Sequence, residues 1–173
     1  MTAAAPVAPA PIDVRSRRWL VAVHEAGHVA ACRSFDWRVH RVAILDDGGG
    51  GTWDDAPWLR ARHRALRESV LVSLAGPLSD ERLLAVKLPD DGRYDQMRTA
   101  AKDLLRAGIP DGCESDMTRA HREAAQLDEP LGELLAEARS LVRSRWSEIE
   151  RIARVLHERG NLGASEIREA AKR

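Results

Sequence analysis

With 173 residues, 44% of them hydrophobic, the chain is long enough to bury one sizeable core. Lys+Arg and Asp+Glu both number 27, so the formal net charge of zero offers no global field for nucleic acid or acidic lipid. Cys32 and Cys113 are the only cysteines, too few for a disulfide framework; they fit a reducing compartment, and the expected location is cytoplasmic.

Residues 1–12 (MTAAAPVAPAPI) are Ala/Pro-rich, with no basic start and no unbroken apolar run, and read as a disordered tail rather than a secretory signal. That leaves 13–173 as a single domain. No stretch approaches the roughly 18 apolar residues a membrane span requires. A first helix is expected over 16–35, with Leu20, Val23, Ala26, Gly27, Ala30 and Ala31 giving a largely apolar surface. Gly27 costs about 1 kcal/mol against alanine inside a helix, so either ordinary tight packing or the close approach of a neighbouring backbone must explain it.

This helix carries His24-Glu25-Ala26-Gly27-His28. Positions i and i+4 share one helix face, so both imidazoles can point at a single ion, while Glu25 sits one step round, placed for a water rather than for the metal. Two histidines and a third ligand leave zinc one open position for a metal-activated water, and a neighbouring carboxylate can take that water's proton. Such chemistry belongs to a zinc peptidase. Cys32 lies one further turn along the same face. A His-His-Cys ladder spans about 12 Å at about 1.5 Å per residue, too far for one ion, so Cys32 is expected to be a small buried hydrophobe.

Residues 37–45 (WRVHRVAIL) suit a strand, Asp46-Asp47 and the glycines from 48 to 51 a turn, and Thr52-Trp53 the start of a returning strand. No Gly-Lys-Ser/Thr follows the glycine run, which excludes a phosphate loop. Residues 53–58 read as a loop whose tryptophans, Trp53 and Trp58, cover the end of the core or line a groove. A helix over 59–75 is interrupted by Gly76-Pro77 and resumes over 78–86 at a new angle. Tyr94, Met97, Ala101, Leu104 and Leu105 mark another amphipathic helix closed by Gly108 and Pro110. A short helix follows from Ser115 or Asp116 to Gln126. Pro130 opens the longest helix, to about residue 158, with a stripe of Leu134, Ala138, Leu141, Ile149, Ile152 and Leu156. Gly160 stops it, and Ser165 is expected to cap a last short helix. The fold class is therefore mostly α (α+β), with a small β-hairpin beside the HEAGH helix and a long C-terminal helix.

The third ligand must come from downstream. Asp116, at a helix start after a Gly-containing turn, is the first candidate, followed by Asp80 and Glu81; His121 and Glu123 sit inside the short helix among arginines.

Together these residues resemble the peptidase domain of the FtsH-type ATP-dependent zinc metalloproteases, over roughly residues 16–171. That family carries HEAGH, as at 24–28. Ala75-Gly76-Pro77-Leu78-Ser79-Asp80-Glu81 looks like its second motif, and Gly112-Cys113-Glu114-Ser115-Asp116-Met117 is similar to the motif whose aspartate is the third zinc ligand. The resemblance implies a helical, zincin-like fold, Zn2+ held by His24, His28 and Asp116, and Glu25 as the catalytic base. The 173 residues depart from the family in lacking a Walker motif, an ATPase module and apolar spans. They also carry Pro77 where the family usually has arginine, and they diverge over 87–111.

The expected function is a stand-alone zinc metalloendopeptidase acting on unfolded or flexible polypeptides, with a separate ATPase as a possible unfolding partner. The alternative is a degenerate domain that holds zinc and recognises a partner without cutting. A nucleic-acid reading of 151–173 is disfavoured by its interleaved acids, which an ordinary solvated helix pair explains. No residue is assigned to oxyanion stabilisation, and the sequence sets no oligomeric state.

Overall fold

A computed structural model of the chain describes residues 16–45, 49–55, 62–87 and 116–172. The first helix, α1 (Arg17–Ser34), starts where Ser16 turns its side chain to accept the Trp19 N–H at 3.2 Å. It ends in a Schellman arrangement: the Trp37 N–H reaches the Cys32 carbonyl at 2.8 Å, and Asp36 adopts the left-handed region at φ 58°. Trp19, Ala22, Val23, Ala26, Val29 and Ala30 are all buried, because helices and strands pack on several sides of α1 at once. Full burial of a Trp or Val side chain contributes about 1.5–3 kcal/mol each, so α1 anchors the core.

The hairpin follows: β1 (Arg38–Ile44) and β2 (Gly50–Asp55) pair antiparallel, with a register shift between Val39 and Arg41. The returning strand contains Thr52 and Trp53 as expected, but it starts earlier, at Gly50, and runs on through the two aspartates expected in a loop. Its alternation sends Gly50 and Thr52 toward α1 and turns Trp53 outward, where it is 44% exposed with the Arg41 guanidinium 5.0 Å from its ring centroid. Trp53 therefore does not cover the core; Trp58 lies outside the described residues.

Next comes α2 (Arg62–Lys87), a continuous helix that contains Pro77. The interruption expected at Gly76-Pro77 is absent: proline removes one N–H, but packing against α1 holds the flanking turns helical. The approach is close at Gly27, where an added Cβ would stand 2.4 Å from Ser79 Oγ and 2.7 Å from the Ala75 carbonyl oxygen. Backbone proximity, then, is the reason for this mid-helix glycine. The helix expected around Tyr94 to Leu105 and the tail of 1–12 lie outside the described residues.

Beyond α3 (Asp116–Ala124) runs α4 (Leu131–Arg159), which starts after Pro130 and stops where Gly160 takes φ 76° and returns its N–H to the Leu156 carbonyl. Its buried stripe holds the expected Leu134, Ala138, Ile149, Ile152 and Leu156; Val142, Trp146 and Ala153 join it, and Leu141 is only half-buried. The helical period of 3.6 carries the stripe from Ala138 to Val142 rather than to its neighbour. The residues after Gly160 form a short strand that the sequence did not suggest, β3 (Asn161–Gly163), giving an antiparallel sheet of order β2-β1-β3. Finally α5 (Ala164–Lys172) is closed at its start not by Ser165 but by Glu166, whose carboxylate accepts the Gly163 N–H at 2.9 Å. The molecule is mostly helical, with a small sheet beside α1 and a long helix near the C-terminal end. Among the described residues no helix is long and apolar enough to cross a membrane.

Candidate metal centre

One turn apart on α1, His24 and His28 place their Nε2 atoms 3.2 Å from each other. Asp116, the first residue of α3, brings its Oδ2 to 3.0 Å from His24 Nε2 and 3.2 Å from His28 Nε2. The three atoms form a nearly equilateral triangle. A tetrahedral ion with bonds of about 2.0–2.1 Å sets its ligand atoms about 3.3 Å apart, so the triangle has the edge length of one face of such a site.

The far sides of the rings decide what the near sides can do. His28 Nδ1 lies 2.8 Å from the Val72 carbonyl oxygen, and His24 Nδ1 lies 2.7 Å from Asp80 Oδ2. Both partners only accept, so both Nδ1 atoms carry hydrogen and donate. In the neutral rings each Nε2 is then a lone pair aimed at the other and at a carboxylate oxygen. Three acceptors at this spacing repel unless a cation lies among them. Neutral imidazoles oriented from behind by a carboxylate and a carbonyl are the usual arrangement of metal-bound histidines. The residues thus fit a divalent ion, and His24, His28 and Asp116 form a group able to hold one.

Protons fill the same role when no ion is present. Burial pulls the His24 imidazole down, but the Asp80 charge and hydrogen bonds to Asp116 and Asp80 hold it well above the usual histidine value. Burial likewise lowers His28, and the Asp116 charge and hydrogen bond raise it past its ordinary value. Burial pushes the Asp116 carboxyl up, yet the two imidazoles carry it well below the carboxylate range.

Space for the ion depends on α2. A Cβ on Gly76 would stand 2.3 Å from His28 Nε2 and 2.7 Å from His24 Nε2, so any side chain there would crowd the ligand atoms. Glu25, buried and on the neighbouring face, takes no part in the triangle. Its carboxylate turns to β2, where Thr52 Oγ1 donates to Oε2 at 2.8 Å. Its charge is felt at both histidines, helping to raise each.

The other candidates stand elsewhere. Asp80 supports His24 from behind rather than facing the ion. Glu81 is exposed and meets Arg139 at 3.3 Å, while His121 is exposed and Glu123 lies beside Arg122. Cys32 is fully buried, and burial, with the Asp54 charge, pushes its thiol up, as befits a packed hydrophobe. Tyr94 and Cys113 lie outside the described residues. Sequence reading missed the Val72 carbonyl, the Gly76 wall and the Thr52 hydroxyl. Only Gly76 left a signal, as a glycine that a helix would not otherwise favour. Compared with protein-family models and with curated proteins, the sequence gives no match to either.

Proposed function

We propose that this chain is a zinc-dependent endopeptidase related to the peptidase domain of FtsH-type proteases, cutting unfolded or flexible polypeptides. The observation that carries the reading is the triangle of His24, His28 and Asp116 with a buried carboxylate, Glu25, on the adjacent helix face. A two-histidine, one-carboxylate set of tetrahedral spacing suits zinc, which when bound brings a water's pKa to about 7 and polarises a carbonyl. Glu25 would accept the attacking water's proton on its carboxylate and deliver it to the departing nitrogen. Asp80 and the Val72 carbonyl take the Nδ1 hydrogens, fix both rings in orientation and leave Nε2 as the atom that would face the ion.

Substrate would be held by backbone. Among the described residues β2 pairs only with β1, so its other edge offers N–H and C=O groups beside Glu25. An extended peptide added there gains main-chain hydrogen bonds with little demand on its sequence. A domain of this kind has no means of pulling apart a stable fold, so folded substrates would need an ATPase to unfold them, and cytoplasmic placement belongs to the same proposal.

Glu25→Gln should retain one equivalent of zinc and lose hydrolysis of casein, whereas His24→Ala should lose both, read by metal analysis and a fluorescent casein assay. Unchanged turnover in Glu25→Gln would remove Glu25 from the mechanism. Stoichiometric zinc with no cleavage by the unaltered protein would favour the non-catalytic, partner-binding domain instead.

A further inference from the structure

We infer that Thr52, with Gly50, is a positioning element for Glu25: the edge strand β2 holds the carboxylate that the proposed hydrolysis uses. The inference rests on the peptidase reading and adds a residue that reading does not need. Three observations converge on it. Thr52 Oγ1 donates to Glu25 Oε2 at 2.8 Å. Glu25 Oε1 lies 2.6 Å from where a Cβ on Gly50 would stand, so the other oxygen rests against bare backbone. Finally, Glu25 is 6% exposed, which leaves water little part in orienting it.

The geometry follows from the register. Residues 50 and 52 point to the same face of β2, toward α1, so one supplies a hydroxyl and the other a gap. Glu25 has three rotatable bonds, and a carboxylate free to swing among rotamers would spend much of its time out of reach of a reacting water. A donor on one oxygen and a glycine under the other restrict it to one orientation. Because the restraint comes from the strand on which a peptide would align, substrate and base share one frame. Thr52 touches neither the ligand triangle nor, in this scheme, the reacting atoms.

The test uses the whole zinc-loaded chain and the variants Thr52→Val, Thr52→Ser and Gly50→Ala, with Glu25→Gln as the reference for loss of the base. A misplaced catalytic group costs about ten- to a hundredfold, so Thr52→Val should lower kcat by that factor with KM within about twofold and zinc content unchanged. Thr52→Ser should restore most of kcat, and Gly50→Ala should reduce it. A readout independent of activity comes from metal-free protein: thermal midpoints of Thr52→Val, Glu25→Ala and the double variant. If the hydroxyl serves the carboxylate, Thr52→Val lowers the midpoint by several degrees beside Glu25 and has little effect once Glu25 is alanine. Active wild type and inactive Glu25→Gln, with Thr52→Val as fast as wild type, overturn the positioning role while leaving the peptidase intact. Additive midpoints overturn the contact itself. If wild type cleaves nothing, the peptidase reading falls and the catalytic role of Thr52 with it, and the midpoints then report a structural hydrogen bond alone.

Discussion

His24 and Asp80 show how one residue's role depends on which atom faces it. Asp80 offers Oδ2 to Nδ1 at 2.7 Å, so its charge reaches the ion position only through the ring. Outer partners of this type are worth about ten- to a hundredfold in metal affinity. Asp80→Ala should therefore weaken zinc binding by about that factor, and Asp80→Asn by less, in competition titrations with a chromophoric chelator. Equal affinity in Asp80→Ala and wild type would make this contact incidental. From sequence, Asp80 was one of several carboxylates that could have been the ligand. What separates it from Asp116 is position: Asp116 opens α3 opposite the Nε2 side, whereas Asp80 projects from α2 behind His24.

At the scale of elements, the contact between α1 and α2 sets the centre. Gly27 lets Ala75 and Ser79 approach, and the same face of α2 supplies Gly76 as the wall and the Val72 carbonyl as a support. Gly27→Ala would gain about 1 kcal/mol of helix propensity, but its Cβ would meet the Ala75 carbonyl oxygen at 2.7 Å, an atom that cannot swing aside. Overpacking of this kind costs about 1–3 kcal/mol, so the variant should be less stable in urea unfolding and weaker for zinc. Gly132→Ala is the control: nothing lies within 4 Å of its added Cβ, and it should gain about 0.4–1 kcal/mol. A stabilised Gly27→Ala would mean that the helices are less close than described. Elements with local signals were the ones sequence reading placed well: Ser16 caps α1, Gly160 ends α4, and the stripe on α4 follows the helical period. Where reading failed, at Pro77 and β3, tertiary contact prevailed over local preference. A helix packed along α1 tolerates one missing N–H, and Asn161–Gly163 extends only because β1 offers an edge.

For the whole molecule, a bound metal ion would compete with protons for one cluster. His24 and His28 have raised values in the fold, so their contribution to metal-free stability is complete below about pH 6.5 and is lost as pH rises through the folded values. Asp116 is depressed, so its contribution holds above about pH 3.9 and fades as the solution becomes more acid. The proposed zinc would need the neutral rings and would displace those protons. Melting curves from pH 5 to 9 should show the chelator-treated protein losing stability at the alkaline end while the gain on adding zinc grows. A zinc-induced shift that stays flat across this range would place the metal elsewhere.

By itself the amino-acid sequence determined that two imidazoles would share one helix face, that a glutamate would stand beside them, and that the chain would be largely helical. Each of these is encoded in spacings of a few residues, where covalent geometry and helical pitch leave little freedom. Tertiary structure alone decided which carboxylate closes the triangle and which strand holds the glutamate. Asp116 lies 88 and 92 residues from the histidines it faces, and Thr52 lies 27 residues from Glu25. Contacts over such separations depend on how α1, α2, α3 and the sheet pack together, and packing is a property of all those surfaces jointly rather than of any one segment.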